Sequence, residues 1–585
     1  MKTIERTSQP ASDASGNSAT KNTINGAQAM VRMLEAFEVR YIFGLCGDTT
    51  LPFYDAMYQL DHPITHILTR DERHAAYMAD AYARVTGKVG ICEGPSGGGA
   101  TYILPGVVEA NESSIPVLAI TSDVATTSRG RFPLTELDQK ALFKPLTKHN
   151  DMLDDAARLP AQIRETFRAM TSSTPGAAHL GFPFDTQKAT VVPSDVYADQ
   201  AQGIFPSTRS GADPAKIDKA IELLRASKNA IIICGGGIVL SRAENELLEL
   251  AKTMNTPVAT TVSGQGAIAE THALALGVVG SNGAVAQTRA VVDEADLVFY
   301  IGCRAGSVTT ERWQSPKPGT TIIHRDSDPK VIGANYQTAI GLIGDAKLCL
   351  AQFLKRLTAS LSGTDGIIDH HGIDRVLVAV TSKFEAFQVL ARMDGDLILP
   401  EQVISGLQSV LDDDAIICAD PGTPCPYFSA FYRWPKAGRH FITNRTHGAL
   451  GYALAASIGA QFGRPDARVV AAMGDGSFAF CCGEMETITR YQLPITMIVF
   501  SNSVFGWIKA GQKSGFNERY HNVDFNRTDH AAVAGAFGIK SWTVSDPAKL
   551  CEVLKEATSL NQPTMVDIIC QPLQDANAPV SEWVA

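Results

Sequence analysis

Short apolar runs rich in Val and Ile alternate with longer segments of helical periodicity along three stretches of the chain, with Gly, Pro and Asp between them. Alternating strands and helices of this kind are typical of parallel sheets covered by helices. The pattern therefore predicts an α/β protein with three doubly wound domains, at residues 25–196, 208–360 and 396–575. Residues 1–24 are rich in Ser, Thr and Asn and lack an apolar core, so we expect a disordered tail there.

Individual strands are predicted where apolar residues run together between turn residues. They lie at 41–44, 89–93 and 116–122 in the first stretch, at 230–234, 257–261, 297–302 and 321–325 in the second, and at 415–419, 468–474, 495–501 and 564–569 in the third. A helix is predicted at 71–85, just before the second of these strands.

Composition and charge exclude several classes of protein. The chain has 585 residues, a formal net charge of −10 and a pI near 5.7, so it offers no electrostatic attraction for nucleic acid or an anionic membrane. No apolar run reaches the roughly 18–20 residues that a membrane-spanning helix needs. The 11 cysteines are irregularly spaced in a long chain, so we expect free thiols and a cytoplasmic protein.

The third stretch contains the strongest chemical motif. Gly474, Asp475, Gly476 and Ser477 follow one predicted strand, and Asn502 follows the next. The carboxyl ends of parallel strands form the usual ligand crevice of an open α/β sheet. Carboxylate and amide oxygens there suit Mg²⁺ with a phosphate, and glycines next to a helix N-terminus let an anion approach the backbone. Gly-Asp-Gly alone more often marks a turn, but the following asparagine favours a magnesium site.

A second motif lies in the first stretch. Glu72 begins the helix predicted at 71–85, and the strand that follows leads into a glycine loop at 96–100. A glutamate at a helix N-terminus is also explained by the helix dipole, which stabilises it by about 0.3–1 kcal/mol. The glycines can likewise be a simple turn. These residues alone leave both interpretations open.

Together the motifs resemble the thiamine diphosphate (ThDP)-dependent enzymes of the acetolactate synthase, pyruvate oxidase, oxalyl-CoA decarboxylase and 2-hydroxyacyl-CoA lyase group. The resemblance covers residues from about 25 to 569, with the motifs in the family's order and spacing. The matching segments are the helix at 72–84, the glycine loop at 96–101, the segments 114–121 and 145–149, Gly451-Tyr452, Gly459-Ala460, and Asp475 through Asn502. The resemblance implies a pyrimidine-binding, a central and a diphosphate-binding domain, in that order.

The resemblance also implies roles for single residues. Mg²⁺ would be held by Asp475, Asn502 and the backbone carbonyl of Val504, while Glu72 would bond the aminopyrimidine of the cofactor and promote loss of the C2 proton. The other residues expected to contact ThDP are Gly422, Thr423, Gly448, Leu450, Gly474, Gly476, Ser477, Phe505 and Gly506. Because Glu72 and Asp475 would come from different subunits, the resemblance implies a homodimer or homotetramer.

The central stretch gives a weaker signal. Asp326 and Asp345 fall at strand ends where relatives contact the adenosine of FAD or ADP. An aspartate there can bond ribose hydroxyls, and it can equally be a turn residue. The sequence leaves open whether this domain binds FAD, ADP or neither.

Three departures from acetolactate synthases bear on the substrate. Val308 stands where those enzymes have an arginine, Gly511 where they have a tryptophan, and Thr135, next to Glu136, where they have a glutamine. Gly511 would open the mouth of the site, and the run at 483–491 is closer to oxalyl-CoA decarboxylases and 2-hydroxyacyl-CoA lyases. We therefore predict a ThDP-dependent C–C lyase or carboligase acting on a 2-oxo acid or a 2-hydroxyacyl-CoA. We favour a 2-hydroxyacyl-CoA lyase whose substrate is a CoA thioester.

Two alternatives remain, an acetolactate synthase-like carboligase and a catalytically silent homologue that binds a nucleotide. Residues 573–585 contain no Lys or Arg to bind CoA phosphates, which weakens the favoured interpretation. The joint presence of Glu72, Leu450, Asp475 and Asn502 argues against the silent homologue. Polar candidates on the substrate side are Asp48, Thr49, Glu136, Asn444, Arg445 and His447. Among them we expect Glu136 and His447 to be catalytic, His447 as a proton shuttle, although a lone histidine is as often structural.

Overall fold

Three six-stranded sheets organise the chain, which a computed structural model describes at residues 23–361 and 368–583. Within each sheet all neighbouring strands are parallel. The predicted fold class is thus confirmed, and we call the three units the first, central and third domains. The tail predicted at 1–24 lies outside the described residues up to residue 22, whereas Ile24 belongs to a short strand, Ile24–Asn25, that pairs antiparallel with Thr190–Val191.

The strand order is the same in the first and third domains and differs in the central one. In spatial order the first sheet contains Thr65–Leu68, Tyr41–Gly44, Gly90–Gly94, Val117–Asp123, Ala178–Pro183 and His149–Met152. The third contains Phe441–Thr443, Ile416–Ala419, Val469–Gly474, Thr496–Ser501, Thr564–Ile569 and Lys540–Val544, so both follow the order 2-1-3-4-6-5. The central sheet contains Ala275–Val278, Val258–Thr260, Ala230–Cys234, Leu297–Ile301, Thr321–Asp326 and Ile340–Ile343 in the order 3-2-1-4-5-6, the arrangement of dinucleotide-binding folds.

Helices connect the strands and cover the sheets. Those of the first domain are Gly26–Ala36, Leu51–Gln59, Glu72–Thr86, Gly98–Tyr102, Leu104–Glu112, Gln139–Phe143, Leu159–Thr171 and Phe184–Lys188. Those of the central domain are Pro214–Ala226, Gly237–Ser241, Glu244–Thr253, Ala286–Asp293 and Ala346–Leu361, followed by Gly372–Ala391 in the connector. Those of the third domain are Pro400–Val410, Pro424–Phe431, Tyr452–Gly463, Asp475–Cys481, Met485–Tyr491, Gly506–Gly515, His530–Ala536 and Pro547–Ser559.

The predicted strands are present with end shifts of at most one residue, but seven strands of the three six-stranded sheets were not predicted, nor was the short pair Ile24–Asn25 and Thr190–Val191. Six of the seven lie at sheet edges, namely Thr65–Leu68, His149–Met152, Ala275–Val278, Ile340–Ile343, Phe441–Thr443 and Lys540–Val544. A strand at an edge has a neighbour on one side only and needs no long apolar run, so the apolar signal is weak there. The seventh, Ala178–Pro183, is buried, but His179 and Gly181 interrupt its apolar pattern.

One helix pair joins the first domain to the third. Glu72–Thr86 packs against Tyr452–Gly463, and the two helices connect the second strand of their domain to the third. Small residues allow the close approach, since a Cβ at Gly459 would collide with the carbonyl of Met78. The Tyr77 and Tyr452 rings meet edge to face at 5.1 Å. The contact fixes the starts of both helices, where the candidate residues Glu72 and Leu450 lie.

Within the described residues, no helix combines the length and apolar character needed to span a membrane.

Candidate active site

A crevice forms where four neighbouring strands of the third sheet end. The segments that follow these strands are three loops, which contain residues 420–423, 444–451 and 502–504, and the first turn of the helix Asp475–Cys481, residues 475–477. Since the carboxyl ends of parallel strands meet at one edge, the four segments border a common space. Every third-domain residue predicted to bind ThDP or Mg²⁺ lies at this edge, in these segments, at the last residue of the strand Val469–Gly474, or in the turn that begins the helix Gly506–Gly515.

Asp475 is the best-defined group in the crevice. It is 4% exposed, and its Oδ2 accepts hydrogen bonds from the backbone N–H groups of Asn502 at 2.8 Å and Ser503 at 2.6 Å. Oδ1 accepts the N–H of Gly476 at 2.8 Å. Burial raises the pKa of the Asp475 carboxyl, while these three donors act in the opposite direction by stabilising the anion. The carboxylate is therefore held firmly beside Asn502.

The oxygen donors of the crevice suit a hard cation. The Asp475 carboxylate, the Asn502 amide oxygen and the Val504 carbonyl are the kinds of ligand that Mg²⁺ takes. The Val504 carbonyl accepts the N–H of Gly506 at 2.9 Å, which leaves its second lone pair for a cation. The residues present thus fit the predicted metal.

The glycines of the crevice border open space. Gly422 and Gly448 have φ values of +102° and +72°, a region that favours glycine. A Cβ added at Gly422, Gly448 or Gly474 would meet nothing within 4 Å, whereas one at Gly476 would lie 2.7 Å from the Phe505 ring. Backbone N–H groups can therefore approach a diphosphate without side chains in the way.

Glu72 lies in a separate environment within the first domain. It is the first residue of its helix, which Asp71 caps by accepting the N–H of Arg73 at 2.8 Å. Glu72 is 6% exposed and faces the glycine loop, since a Cβ at Gly99 would lie 3.1 Å from its Oε1. Burial raises the pKa of its carboxyl, and the charged groups that influence it are Asp71, Glu93 and Arg73. All of these belong to the first domain and none to the crevice.

The structure does not bring the other two predicted catalytic residues to Glu72. Glu136 is exposed, and its Oε1 accepts the N–H of Gly130 at 2.6 Å, so the side chain closes its own turn. His447 is also exposed and contributes its backbone N–H to an anchoring contact. Thr135, by contrast, reaches the glycine loop, with its Oγ1 2.7 Å from that of Ser96.

Sequence reasoning missed Glu109, a fully buried residue of the helix Leu104–Glu112. Its Oε2 accepts the backbone N–H of His447 at 2.8 Å, and its Oε1 accepts the hydroxyl of Thr446 at 2.9 Å. Arg84 donates to the same carboxylate at 3.3 Å. Glu109 thus ties the first domain to the loop that contains Leu450. An acidic residue within the apolar first half of the helix, LPGVVE, was the available signal, but its partners in the third domain are distant in sequence.

Glu109→Ala is expected to lower the free energy of unfolding by about 1–3 kcal/mol, because it removes a buried hydrogen-bond acceptor while Arg84 keeps Asp80 as its closer partner. The matched control is Glu112→Ala on the same helix, where the carboxylate is 50% exposed and lies 3.7 Å from Arg304. That change should cost at most about 1 kcal/mol. Urea unfolding of both variants measures the difference, and equal stabilities would show that Glu109 is not an anchor.

A large cavity of about 920 Å³ lies at the carboxyl ends of the central strands. Gly235–Gly237 and Gly302 line it and follow the adjacent strands Ala230–Cys234 and Leu297–Ile301, between which the strand order reverses. This is the usual nucleotide position in an open α/β sheet. The basic residues in its wall are Arg84, Lys148, Arg304, Arg325, Lys330, Arg439 and Arg445, which suits an anionic ligand.

Both aspartates predicted to contact a nucleotide line this cavity, but they differ in their bonds. Asp326 accepts the N–H of Asp328 on Oδ1 at 2.9 Å. Asp345 pairs with Arg209 at 2.7 Å, accepts the N–H of Leu348 at 3.1 Å and also bonds Ser241. The Asp345 carboxylate is thus occupied within the chain, and Asp326 is the better candidate for a ribose.

Three α/β domains, a crevice in one of them whose residues fit Mg²⁺ and a diphosphate, and a buried glutamate in another are features typical of a class of cofactor-dependent enzymes. Residues 24–142, 217–353 and 420–568 match, respectively, the N-terminal TPP binding, central and C-terminal TPP binding domains of the thiamine pyrophosphate enzymes. The chain belongs to this ThDP-dependent enzyme family.

Similar curated proteins cover almost the whole chain. A probable acetolactate synthase large subunit of Methanococcus aeolicus is 34% identical over 562 residues, 94% of this chain and 92% of that protein. One of Methanocaldococcus jannaschii is 33% identical over 94% of this chain and 93% of its own. The acetolactate synthase large subunit of Corynebacterium glutamicum is 31% identical over 96% and 89%.

Proposed function

We propose that the protein is an acetolactate synthase-like carboligase, which joins two 2-oxo acids with loss of CO₂ from the first. The observation that carries this proposal is the 34% identity, over 94% of the chain, to a probable acetolactate synthase large subunit. This identity favours an acetolactate synthase-like carboligase, which the sequence left open as an alternative. It speaks against the 2-hydroxyacyl-CoA lyase that we predicted from the sequence.

The residues of the crevice would hold ThDP through Mg²⁺. Asp475, Asn502 and the Val504 carbonyl would ligate the metal, and the crevice glycines would lie against the diphosphate. When bound, ThDP supplies the nucleophilic carbon and the electron sink for making and breaking C–C bonds. The role of the protein is to bind and orient it.

Glu72 would hold the proton that its carboxyl shares with the aminopyrimidine ring of the cofactor. Because burial raises the pKa of its carboxyl, Glu72 holds a proton more readily than an exposed glutamate does. It can then donate a hydrogen bond to a ring nitrogen, and glycines around it allow a ring to approach. Holding an acid next to a reacting ring is a proximity effect that can supply several kcal/mol.

We also propose that a site is completed by two copies of the chain. Glu72 and Asp475 have separate sets of neighbours within one chain, and neither of them lines the central cavity. A homodimer, or a dimer of dimers, would bring Glu72 of one copy to the crevice of the other.

For the central cavity we propose a nucleotide with an adenosine diphosphate moiety, either FAD or ADP. The cavity's position at the strand-order reversal, its glycine turns and its basic wall support this. Mass spectrometry of the nucleotide released on denaturing the purified protein would identify it, and the absence of any adenine nucleotide after reconstitution with both would refute the proposal.

A product screen tests the reaction. The purified protein with ThDP and Mg²⁺ is offered pyruvate, glyoxylate, oxalyl-CoA and a 2-hydroxyacyl-CoA, and products are followed by mass spectrometry. We expect 2-acetolactate from pyruvate and no cleavage of the thioesters. Cleavage of a 2-hydroxyacyl-CoA without 2-acetolactate would overturn the proposal in favour of the lyase.

A further inference from the structure

Asp420 is a buried aspartate at the end of one of the strands that border the crevice. It directly follows the strand Ile416–Ala419 and is 0% exposed. Its backbone N–H donates to the Ala472 carbonyl at 3.0 Å, which continues the pairing of this strand with Val469–Gly474. Both strands lie in the interior of the third sheet, so the sheet itself fixes the position of Asp420.

The Asp420 carboxylate caps a helix that is distant in sequence. Its Oδ1 accepts the N–H groups of Tyr452 at 2.8 Å and Ala453 at 3.1 Å, the first two residues of the helix Tyr452–Gly463. Gly451, just before this helix, has a φ of +84° and offers no side chain as a cap. A carboxylate at a helix N-terminus satisfies free N–H groups and interacts favourably with the helix dipole. Asp420 therefore does from 32 positions away what an N-cap residue does locally.

This cap fixes the end of the loop 444–451. Glu109 already holds the first half of the loop through two hydrogen bonds. Leu450, which is predicted to contact ThDP, lies between the two anchors. Its side chain is half-buried, which leaves apolar surface available to a ligand. The position of Leu450 thus depends on Glu109 on one side and on Asp420 on the other.

Asp420 also borders the turn predicted to contact the diphosphate. A Cβ at Gly451 would lie 2.8 Å from the Cβ of Phe480, so the end of the loop packs against the helix Asp475–Cys481. Burial raises the pKa of Asp420 to about 7, while the N–H groups at the helix start and the side chain of Ser477 act in the opposite direction. Asp420 therefore lies between the loop that contains Leu450 and the turn that contains Ser477.

We propose that Asp420 is a positioning residue for ThDP, because it fixes the helix start that follows Leu450 and so holds the Leu450 side chain in place for the cofactor. It would act through Leu450 and need not touch ThDP itself. The capping hydrogen bonds would carry this role, so an asparagine should be able to replace the aspartate. This inference rests on the proposed ThDP-dependent function.

The first test compares two substitutions at this position. Asp420→Ala removes both capping bonds, whereas Asp420→Asn keeps an oxygen that can accept them. At saturating ThDP and Mg²⁺, the rate of C2 proton exchange in the bound cofactor, measured by NMR, should fall at least about 10-fold in Asp420→Ala. It should stay within about 3-fold of the wild-type rate in Asp420→Asn. Undiminished exchange in Asp420→Ala, or an equal loss in both variants, would overturn the proposal.

Asp213→Ala is the matched control for the loss of a helix cap. Asp213 is exposed and caps the central-domain helix Pro214–Ala226 by accepting the N–H of Ala215 at 2.9 Å. Because this helix is far from Leu450 in the fold, C2 exchange should stay within about 2-fold of the wild-type rate. A loss equal to that in Asp420→Ala would show that general destabilisation lowers the exchange, and the inference would fail.

A double-mutant cycle tests whether Asp420 acts through Leu450. Leu450→Ala should itself lower C2 exchange. Adding Asp420→Ala should lower it by no more than about 2-fold further, because the side chain to be positioned is already absent. Losses that multiply would show that the two residues act independently, which would contradict the proposal.

A last measurement needs neither cofactor nor substrate. Amide hydrogen exchange at Tyr452 and Ala453 in the full chain without ThDP should be about 3–30-fold faster in Asp420→Ala than in the wild type, and unchanged in Asp420→Asn. Equal protection in all three proteins would show that Asp420 does not hold the helix start, and the inference would fail. If the wild type binds no ThDP, the proposed function fails, and amide exchange still tests the cap.

Discussion

Asp475→Asn is expected to lower the affinity for ThDP in the presence of Mg²⁺ by at least about 100-fold. The amide oxygen can still accept the N–H groups of Asn502 and Ser503, whereas the amide NH₂ group cannot accept the Gly476 N–H, so the turn should loosen only at Gly476. The amide lacks the negative charge that a divalent cation requires from this ligand. Calorimetric titration of ThDP at fixed Mg²⁺ measures the loss.

Asp546→Ala is the control for this experiment. Asp546 also lies at the start of a helix of the third domain, where it accepts the N–H of Ala548 at 3.0 Å, but it is exposed. It should bind ThDP like the wild type. If Asp475→Asn also retained wild-type affinity, the assignment of the metal site would be incorrect.

Glu72→Gln is expected to keep ThDP affinity within a few-fold while lowering the rate of C2 proton exchange in the bound cofactor by about 10²–10⁴. Glutamine has the same shape, but it cannot give up or take up a proton. NMR measurement of hydrogen–deuterium exchange at C2 reports this step without requiring a second substrate.

Glu136→Gln is the matched control for Glu72→Gln. Glu136 also lies in the first domain, but its side chain is exposed and closes its own turn, so we expect C2 proton exchange at the wild-type rate. A loss of exchange in Glu136→Gln equal to that in Glu72→Gln would restore the catalytic role that the sequence suggested for Glu136. Normal exchange in Glu72→Gln would remove Glu72 from the mechanism.

The interior of each sheet could be predicted from sequence, and its edges could not. Strands such as Ala230–Cys234 and Leu297–Ile301 are buried on both faces and form continuous apolar runs. Lys540–Val544 is mostly half-buried or exposed at an edge and shows no such run. The pattern therefore predicts the fold class but not the number or order of strands.

The candidate site likewise contains residues that could be predicted from the sequence and residues that could not. Asp475 and Asn502 could be predicted because each directly follows a strand, so that a local motif indicates where the side chain lies. Glu109 could not, since its partners Thr446 and His447 are more than 300 positions away in sequence. No periodicity in one chain indicates such a contact.

The expectation drawn from Gly511 depended on neighbours that the sequence does not show. Gly511 lacks a side chain, and the sequence suggested an open mouth, yet Trp583 from the C-terminus covers the position. The size of one residue predicts a cavity only when its spatial neighbours are known. Those neighbours depend on tertiary packing, and here on a segment 72 residues further along the chain.

Mixing two inactive variants tests most directly whether two copies of the chain complete each site. Glu72→Gln and Asp475→Asn chains are dissociated, combined in equal amounts and reassociated, and formation of 2-acetolactate is measured. In a mixed dimer, one site has both substitutions and the other has neither. Because half of the dimers are mixed and each has one intact site, activity should recover to about a quarter of the wild-type value. If native mass spectrometry shows mixed dimers but activity stays at the level of the parents, Glu72 and Asp475 act within one chain and the shared site is contradicted.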